Sequence, residues 1–125
     1  MDELVERLTK EQPVEVSIRP EKTREAFKTA IDRGYVQIHF MGTQGGTELG
    51  VRLDPSQCEL SGADWKTGSG RVRVVGGLVL NYVKVRCHAQ IDLATLAGTG
   101  RLEVLEEVTP AELARERAAR AGQAS

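Results

Sequence analysis

Two stretches with an apolar residue at every second position flank one glycine-rich connection, and no other feature constrains the fold of this chain as strongly. The stretches are residues 35–41 and 47–53, and the connection, residues 42–46, contains three glycines. Strand side chains alternate between two faces, so a pairing shifted by one residue would mix apolar and polar side chains. Pairing Phe40 with Thr47 avoids that mixing and predicts a β-hairpin that turns at residues 42–46.

This register gives the hairpin one apolar face and one polar face. The opposed pairs are Val36 with Val51 and Ile38 with Leu49 on the apolar face, and Tyr35 with Arg52, Gln37 with Gly50 and His39 with Glu48 on the polar face. Two independent patterns therefore agree in one register. Glycine-rich turns can cradle an anion, but this one joins two strands and lacks the following helix of a dinucleotide or P-loop motif, so we interpret it as a turn.

The sequence also predicts a second hairpin and two further strands. Residues 71–75 and 78–92 form the hairpin, with Gly76-Gly77 as a two-residue turn that tolerates positive φ. Residues 13–19 alternate and predict an earlier strand, and residues 101–105 predict a later strand that pairs antiparallel. Most of the predicted sheet is therefore antiparallel.

Three helices are predicted. Residues 2–11 form a short amphipathic helix, and a second helix opens at Pro20, where a missing N–H is harmless. The order strand, helix, strand around this second helix permits a crossover with parallel strands. The third helix runs from Pro110 to about Ala121, because Thr109 and Glu112 form a capping box at its start.

These elements predict one α+β domain: a mostly antiparallel sheet of five to six strands built from two β-hairpins, with two N-terminal helices and one C-terminal helix. The length, 125 residues, is typical of one domain. The domain is expected to span residues 1–121, with 122–125 as a frayed tail. Residues 54–70 are predicted to form a loop in which Trp65 is the one large apolar residue.

The composition excludes several classes of protein. Seventeen Lys and Arg balance eighteen Asp and Glu, and aromatic residues make up 4% of the chain. Neither a basic surface nor a base-stacking platform is indicated, so no nucleic acid is expected as a partner. No signal peptide and no apolar run of about 18 residues is present, which predicts a cytoplasmic protein with no membrane contact.

The cysteines and histidines do not predict a metal site. Cys58 and Cys87 are the only cysteines, no CxxC occurs, and neither His39 nor His88 stands at zinc spacing from them. We expect two reduced thiols rather than a disulfide. No cofactor and no metal are predicted.

A possible ligand site follows from the polar strand faces. His39 opposite Glu48 is an arrangement that acid–base catalysis uses, but no third member and no nucleophile accompany them, so no catalytic residue is assigned. An ordinary cross-strand pair is the alternative. The candidate ligand-binding residues on these faces are His39, Glu48, Arg52, Tyr35, Arg86 and His88.

Two further features suggest a partner instead. Trp65 in the polar loop is suited either to binding a partner or to packing back on the core, and the alanine-rich C-terminal helix offers Leu113. Since no catalytic constellation is present, the sequence favours a non-catalytic accessory or binding subunit that contacts a protein partner or self-associates. The alternative is a domain that binds a small anionic ligand, or a small enzyme, with a pocket lined by the His39/Glu48 face.

Overall fold

The computed structural model describes residues 2–18 and 21–124, with side chains through residue 119. Within this part of the chain, three helices and seven strands are present. The helices are α1 (Glu3–Leu8), α2 (Arg24–Arg33) and α3 (Pro110–Ala124). The strands are β1 (Gln12–Ser17), β2 (Tyr35–Phe40), β3 (Thr47–Leu53), β4 (Ala63–Asp64), β5 (Ser69–Leu80), β6 (Val83–Asp92) and β7 (Ala97–Glu107). The α+β class predicted from the sequence is confirmed.

Six of the strands close into a barrel. The order is β3-β2-β1-β7-β6-β5, all neighbours are antiparallel, and β3 also pairs with β5 to complete the circle. The short β4 adds to the outer part of β5. Closure removes most exposed strand edges, which is how antiparallel sheets avoid edge-to-edge association. The sheet is therefore larger than the predicted five to six strands by β4.

Alternation along the strands builds the core. Buried and exposed residues alternate along β1, β2 and β6, so each strand sends every second side chain inward. Val5 and Leu8 of α1 and Phe27 of α2 join this core. The inward strand residues include Val14, Val16, Val36, Ile38, Phe40, Leu49, Val51, Val72, Val74, Val85, Cys87, Ala89, Ile91 and Leu102.

The first predicted hairpin is confirmed in every pair. β2 and β3 are antiparallel with Phe40 opposite Thr47, His39 opposite Glu48 and Tyr35 opposite Arg52. Gln12 stabilises the turn, because its Oε1 accepts a hydrogen bond from the Gly42 N–H at 3.0 Å. Gly45 and Gly46 both have positive φ, which explains why glycines occupy these positions.

The second hairpin turns at a different place from the predicted one. β5 runs unbroken through Gly76 and Gly77, and the two-residue turn lies at Asn81-Tyr82, which have φ values of 50° and 62°. Gly76 is needed for another reason: a Cβ there would overlap the carbonyl oxygen of Arg52 on β3. The glycine pair marks a close approach of two strands rather than a turn.

The strands that flank α2 are antiparallel, so the parallel crossover that the element order permits does not occur. α2 also begins later than predicted, at Arg24, because the Thr23 side chain accepts a hydrogen bond from the Ala26 N–H and caps the helix there. The two predicted N-terminal helices are therefore present as α1 and α2, with a strand between them, but their bounds match the prediction only in part. Pro20, the predicted start of this helix, lies outside the described residues.

The remaining elements differ from the predicted ones in length. α1 is shorter than residues 2–11, because the chain already enters β1 at Gln12. β7 is longer than residues 101–105, and α3 continues past residue 121 to Ala124. Ser125, the last residue of the predicted tail, lies outside the described residues. The predicted loop 54–70 contains β4 and a bridge from Glu59 to Arg73.

Both cysteines are free thiols, and their environments differ. Cys87 is buried in the barrel, and burial raises the pKa of its thiol to about 12. We therefore expect Cys87 to resist alkylation by iodoacetamide at pH 8 in the native protein and to react only when the barrel unfolds. Mass spectrometry after timed alkylation, with and without urea, checks this; fast native labelling of Cys87 would contradict it.

Candidate functional site

The barrel wall opens where β3 and β5 separate. These strands pair only through Arg52 with Gly77 and Leu53 with Gly76, although both continue beyond this point. A surface groove of about 840 Å³ opens there. Its walls include Tyr35, Gly50, Arg52, Gly77, Val79 and Leu105, and we call this feature the seam groove.

Unpaired backbone groups line the seam groove. The Leu53 N–H donates to the Gly34 carbonyl, and residues of an antiparallel pair bond in alternation, so Val51 and Leu49 also bond to β2. The backbone groups of Gly50 and Glu48 then point away from β2. Since β5 pairs with β3 only at Arg52 and Leu53, this edge of β3 has no strand beside it within the described chain.

Backbone groups are unpaired on the β5 side of the seam groove as well. Leu80 opposes Val83 across the two-residue turn, so Val79 directs its N–H and C=O away from β6 and toward β3. Continuing the β3–β5 register would set Val79 opposite Gly50, but the two strands are no longer paired there. Two open strand edges therefore face one groove.

Exposed apolar side chains concentrate at this groove. Among the described residues, five large apolar or aromatic side chains are exposed: Tyr35 (49%), Met41 (42%), Val79 (36%), Tyr82 (50%) and Leu105 (48%). Three of them, Tyr35, Val79 and Leu105, line the seam groove. Single exposed apolar residues are ordinary, but a cluster of them marks an interaction surface.

Gly50 shapes the floor of the groove. The ring of Tyr35 lies over Gly50, so that a Cβ at this position would overlap the Tyr35 hydroxyl. An aromatic ring on a cross-strand glycine covers bare backbone without hiding the outer strand edge. The hydroxyl end of Tyr35 thus points along the wall toward the seam.

Charged groups border the groove on the side of α3. Lys84 of β6 pairs with Glu116 of α3 at 2.5 Å and with Glu106 of β7 at 3.2 Å. These two hydrogen-bonded carboxylates raise the pKa of the Lys84 ammonium group above its ordinary value. The ion pairs bring α3 beside the groove, since Lys84 and Glu116 both line it.

The structure separates the residues of the predicted ligand site. Tyr35 and Arg52 line the seam groove, whereas His39 and Glu48 lie farther along the outer face of the same strands and do not. Glu48 is exposed and its carboxylate accepts a hydrogen bond from the Ser17 hydroxyl. The His39 ring lies over Gly46. Neither His39 nor Glu48 lines the seam groove or either of the two smaller grooves, beside Arg71 and Asp92 and beside Arg73 and His88.

Arg86 and His88 belong to another outer surface, on β6. His88 Nε2 donates to Glu103 Oε1 at 2.9 Å, and Arg86 lies 3.4 Å from the same oxygen. The hydrogen bond from His88 holds the pKa of the Glu103 carboxyl below its ordinary value of 4.5, and the charge of Arg86 acts in the same direction. Both cationic side chains are thus engaged with a carboxylate of the neighbouring strand.

This lowered pKa has a measurable effect on stability. The folded state favours the ionised Glu103 more than the unfolded state does, so the contribution is present above pH 4.5 and is lost as the pH falls through the lowered pKa. We expect Glu103→Gln to reduce the free energy of unfolding at pH 7 and to match the wild type more closely near pH 3. Urea unfolding at both pH values checks this, and an equal deficit at both would contradict it.

The two predicted partner residues contact their own chain. The Trp65 ring packs on Phe27 of α2 with centroids 5.9 Å apart, and Arg24 donates to the carbonyls of Trp65 and Lys66 at 3.1 Å. Leu113 of α3 is buried. Neither residue lines the seam groove.

Two residues that line the seam groove, Val79 and Leu105, were not predicted from the sequence as part of a site. Val79 and Leu105 each stand next to other apolar residues, at Leu78 and Leu80 and at Val104, so alternation does not reveal which of them faces outward. Apolar residues on both faces of one strand were the available signal for an outer contact surface. The separation of β3 from β5 has no sequence signal, because it depends on strands far apart in the chain.

No three His, Cys, Asp or Glu side chains come together as a metal site in the part of the chain that the structure describes. No helix in these residues is long and apolar enough to cross a membrane.

The chain matches the model of a known family. The family model described as "Core binding factor beta subunit" matches residues 1–123, nearly the whole chain. A comparison with curated proteins gives no match. The family is one of subunits, so the match confirms in general form the prediction of an accessory subunit that contacts a protein partner. It does not support self-association or an anionic ligand.

Proposed function

The chain belongs to the core binding factor beta subunit family, and we propose that it binds its protein partner through the seam groove. The observation that carries this proposal is the coincidence of two open strand edges with three exposed apolar side chains. The two open edges, of β3 and of β5, face each other across one groove, and three of the five exposed large apolar or aromatic side chains of the described residues line it. The groove therefore combines the two features by which protein surfaces bind other chains.

The open edges define how the partner binds. Unpaired N–H and C=O groups of Gly50 and Glu48 are best satisfied by an extended segment that runs antiparallel to β3 and continues the sheet. The Arg52–Gly77 pair fixes where this segment ends, because β5 already occupies the edge from there on. Main-chain hydrogen bonds would then provide affinity that depends little on the partner's sequence.

The exposed apolar side chains of the groove would supply binding energy and fix the register of the partner segment. Tyr35, Val79 and Leu105 are exposed in the free chain and would lose that exposure under a partner. Burial of one such side chain contributes roughly 1.5–3 kcal/mol. A stable interface buries about 800 Å² on each partner, so the contact must extend beyond the groove to its charged border at Lys84 and Glu116.

Site-specific photo-cross-linking in the cells that naturally express the chain tests this proposal. A benzoylphenylalanine at position 79 should cross-link to one defined polypeptide, and light scattering of the purified complex should give the mass of a heteromer. Position 41 is the matched control, because Met41 is as exposed as Val79 but does not line the groove. A chain that stays monomeric, or equal cross-linking from both positions, would contradict the proposal.

A further inference from the structure

The turn between β5 and β6 contains a backbone conformation that its sequence does not favour. Asn81 and Tyr82 both have positive φ, the geometry of a two-residue hairpin turn that is usually made by Asn-Gly. Asn adopts this region more readily than most residues. The Asn81 Nδ2 also donates a hydrogen bond to Asp2 Oδ1, near the start of the chain, at 3.2 Å. Tyr82 stands where glycine is preferred, so its Cβ is crowded by its own backbone.

Comparison with a second residue shows that Tyr82 is unusual. Leu96 is also a non-glycine residue with positive φ (56°), but it is only 6% exposed and packs in the core. Packing of its side chain offsets the backbone strain at Leu96. Tyr82 is 50% exposed, does not belong to the core cluster, and its hydroxyl makes no hydrogen bond within the described residues. The Tyr82 carbonyl oxygen accepts a hydrogen bond from the Val108 N–H at 2.7 Å, which holds the backbone of the turn, but the Tyr82 side chain is not packed in the core as that of Leu96 is.

Tyr82 does not itself line the seam groove, but it lies in the turn between two residues that do. Val79 and Lys84, which stand on either side of the turn, both line the groove, and Leu105 follows on the neighbouring strand β7. Tyr82 therefore lies in the chain segment just beyond these groove-lining residues, where β5 has ended. An aromatic ring with a free hydroxyl at the end of an apolar surface is typical of the residues that dominate protein interfaces.

We infer that Tyr82 is a partner-contact residue, which the strained turn holds outward as an aromatic extension of the seam groove. The inference rests on the proposed function of the groove. It adds Tyr82 as a contact residue, whose strained backbone lowers the stability of the free protein. A glycine at this position would make a better turn but would offer no contact. The partner contact, rather than the stability of the barrel, therefore explains a tyrosine here.

The test is a Tyr82→Gly variant with two measurements. Its melting temperature should rise by roughly 2–5 °C, because the strain is removed. Its affinity for the purified partner polypeptide identified by cross-linking from position 79 should fall at least tenfold. Leu96→Gly is the matched control for the turn: its melting temperature should fall, because a buried side chain is lost, while the affinity of the folded protein is retained.

A third variant separates this inference from the proposed function. Leu105→Asp should weaken binding if the groove is the interface. Loss of binding in Leu105→Asp together with unchanged binding in Tyr82→Gly overturns the inference alone. Unchanged binding in both variants overturns the proposed function as well. A fall in the melting temperature of Tyr82→Gly would show that the ring stabilises the barrel, and this too would overturn the inference.

Discussion

Leu105→Asp is expected to weaken the complex with the protein partner at least 30-fold. Leu105 is 48% exposed on β7 and lines the seam groove, so a partner that covers the groove would enclose the new carboxylate. Burying an unpaired charge and losing the apolar contact together cost about 2 kcal/mol or more. Isothermal titration calorimetry with the purified partner measures this change.

Met41→Asp is the control for this prediction. Met41 is nearly as exposed, at 42%, but it follows β2 at the hairpin turn and does not line the groove. The two variants introduce the same charge into the same protein, so a general electrostatic effect would appear in both. Equal loss of affinity in the two variants would contradict the location of the interface.

Gly76→Ala is expected to lower the free energy of unfolding by about 2–4 kcal/mol, because β5 crosses β3 at this residue. A Cβ on Gly76 would overlap the Arg52 carbonyl oxygen and crowd the Leu53 Cα, both of which are backbone atoms. Backbone cannot move aside without opening the β3–β5 pairing, which spans only two residue pairs. Equilibrium unfolding in urea, monitored by circular dichroism, measures the loss.

Gly77→Ala is the matched control, one residue along the same strand. A Cβ there would meet nothing closer than the Val85 carbonyl oxygen at 3.8 Å, an ordinary contact. Its φ is not in the left-handed region, so alanine fits and the free energy of unfolding should change by less than about 1 kcal/mol. Similar destabilisation by both variants would contradict a specific effect of the close approach at Gly76, since strand propensity alone favours alanine over glycine.

The first hairpin could be predicted in full because its information is local. Each residue of β2 and β3 faces one side of the sheet, and the two apolar faces can meet in only one register. The turn also has glycines at the two positions with positive φ, Gly45 and Gly46. Pattern and turn chemistry agree there.

The second hairpin was misplaced because glycine has two uses. Gly76-Gly77 fits a tight turn as well as a close approach of strands, and only the position of β3 decides between them. The true turn, Asn81-Tyr82, lacks the glycine that identifies such turns, since Tyr82 adopts a conformation that tyrosine rarely takes. Tyr82 thus departs from the preference for glycine at this turn position, and it is the residue for which we infer a role in binding.

The seam groove could not be predicted, because it is a property of the closed barrel. Tyr35 and Arg52 were identified as candidate binding residues from their shared polar face, and both line the groove. Val79 lies on β5 and Leu105 on β7, and only the closure of the barrel brings these strands near β3. No pattern within one segment records that β3 and β5 pair over two residues and then separate.

The exchange of single backbone amides tests the central claim most directly. In the free chain the amides of Glu48 and Gly50 should exchange rapidly, because they face the open edge of β3, while those of Leu49 and Val51 bond to β2 and should exchange slowly. In the complex with the partner, we expect exchange at Glu48 and Gly50 to slow at least tenfold, with Met41 unchanged. Rapid exchange at Glu48 and Gly50 in the saturated complex would contradict binding at the seam groove.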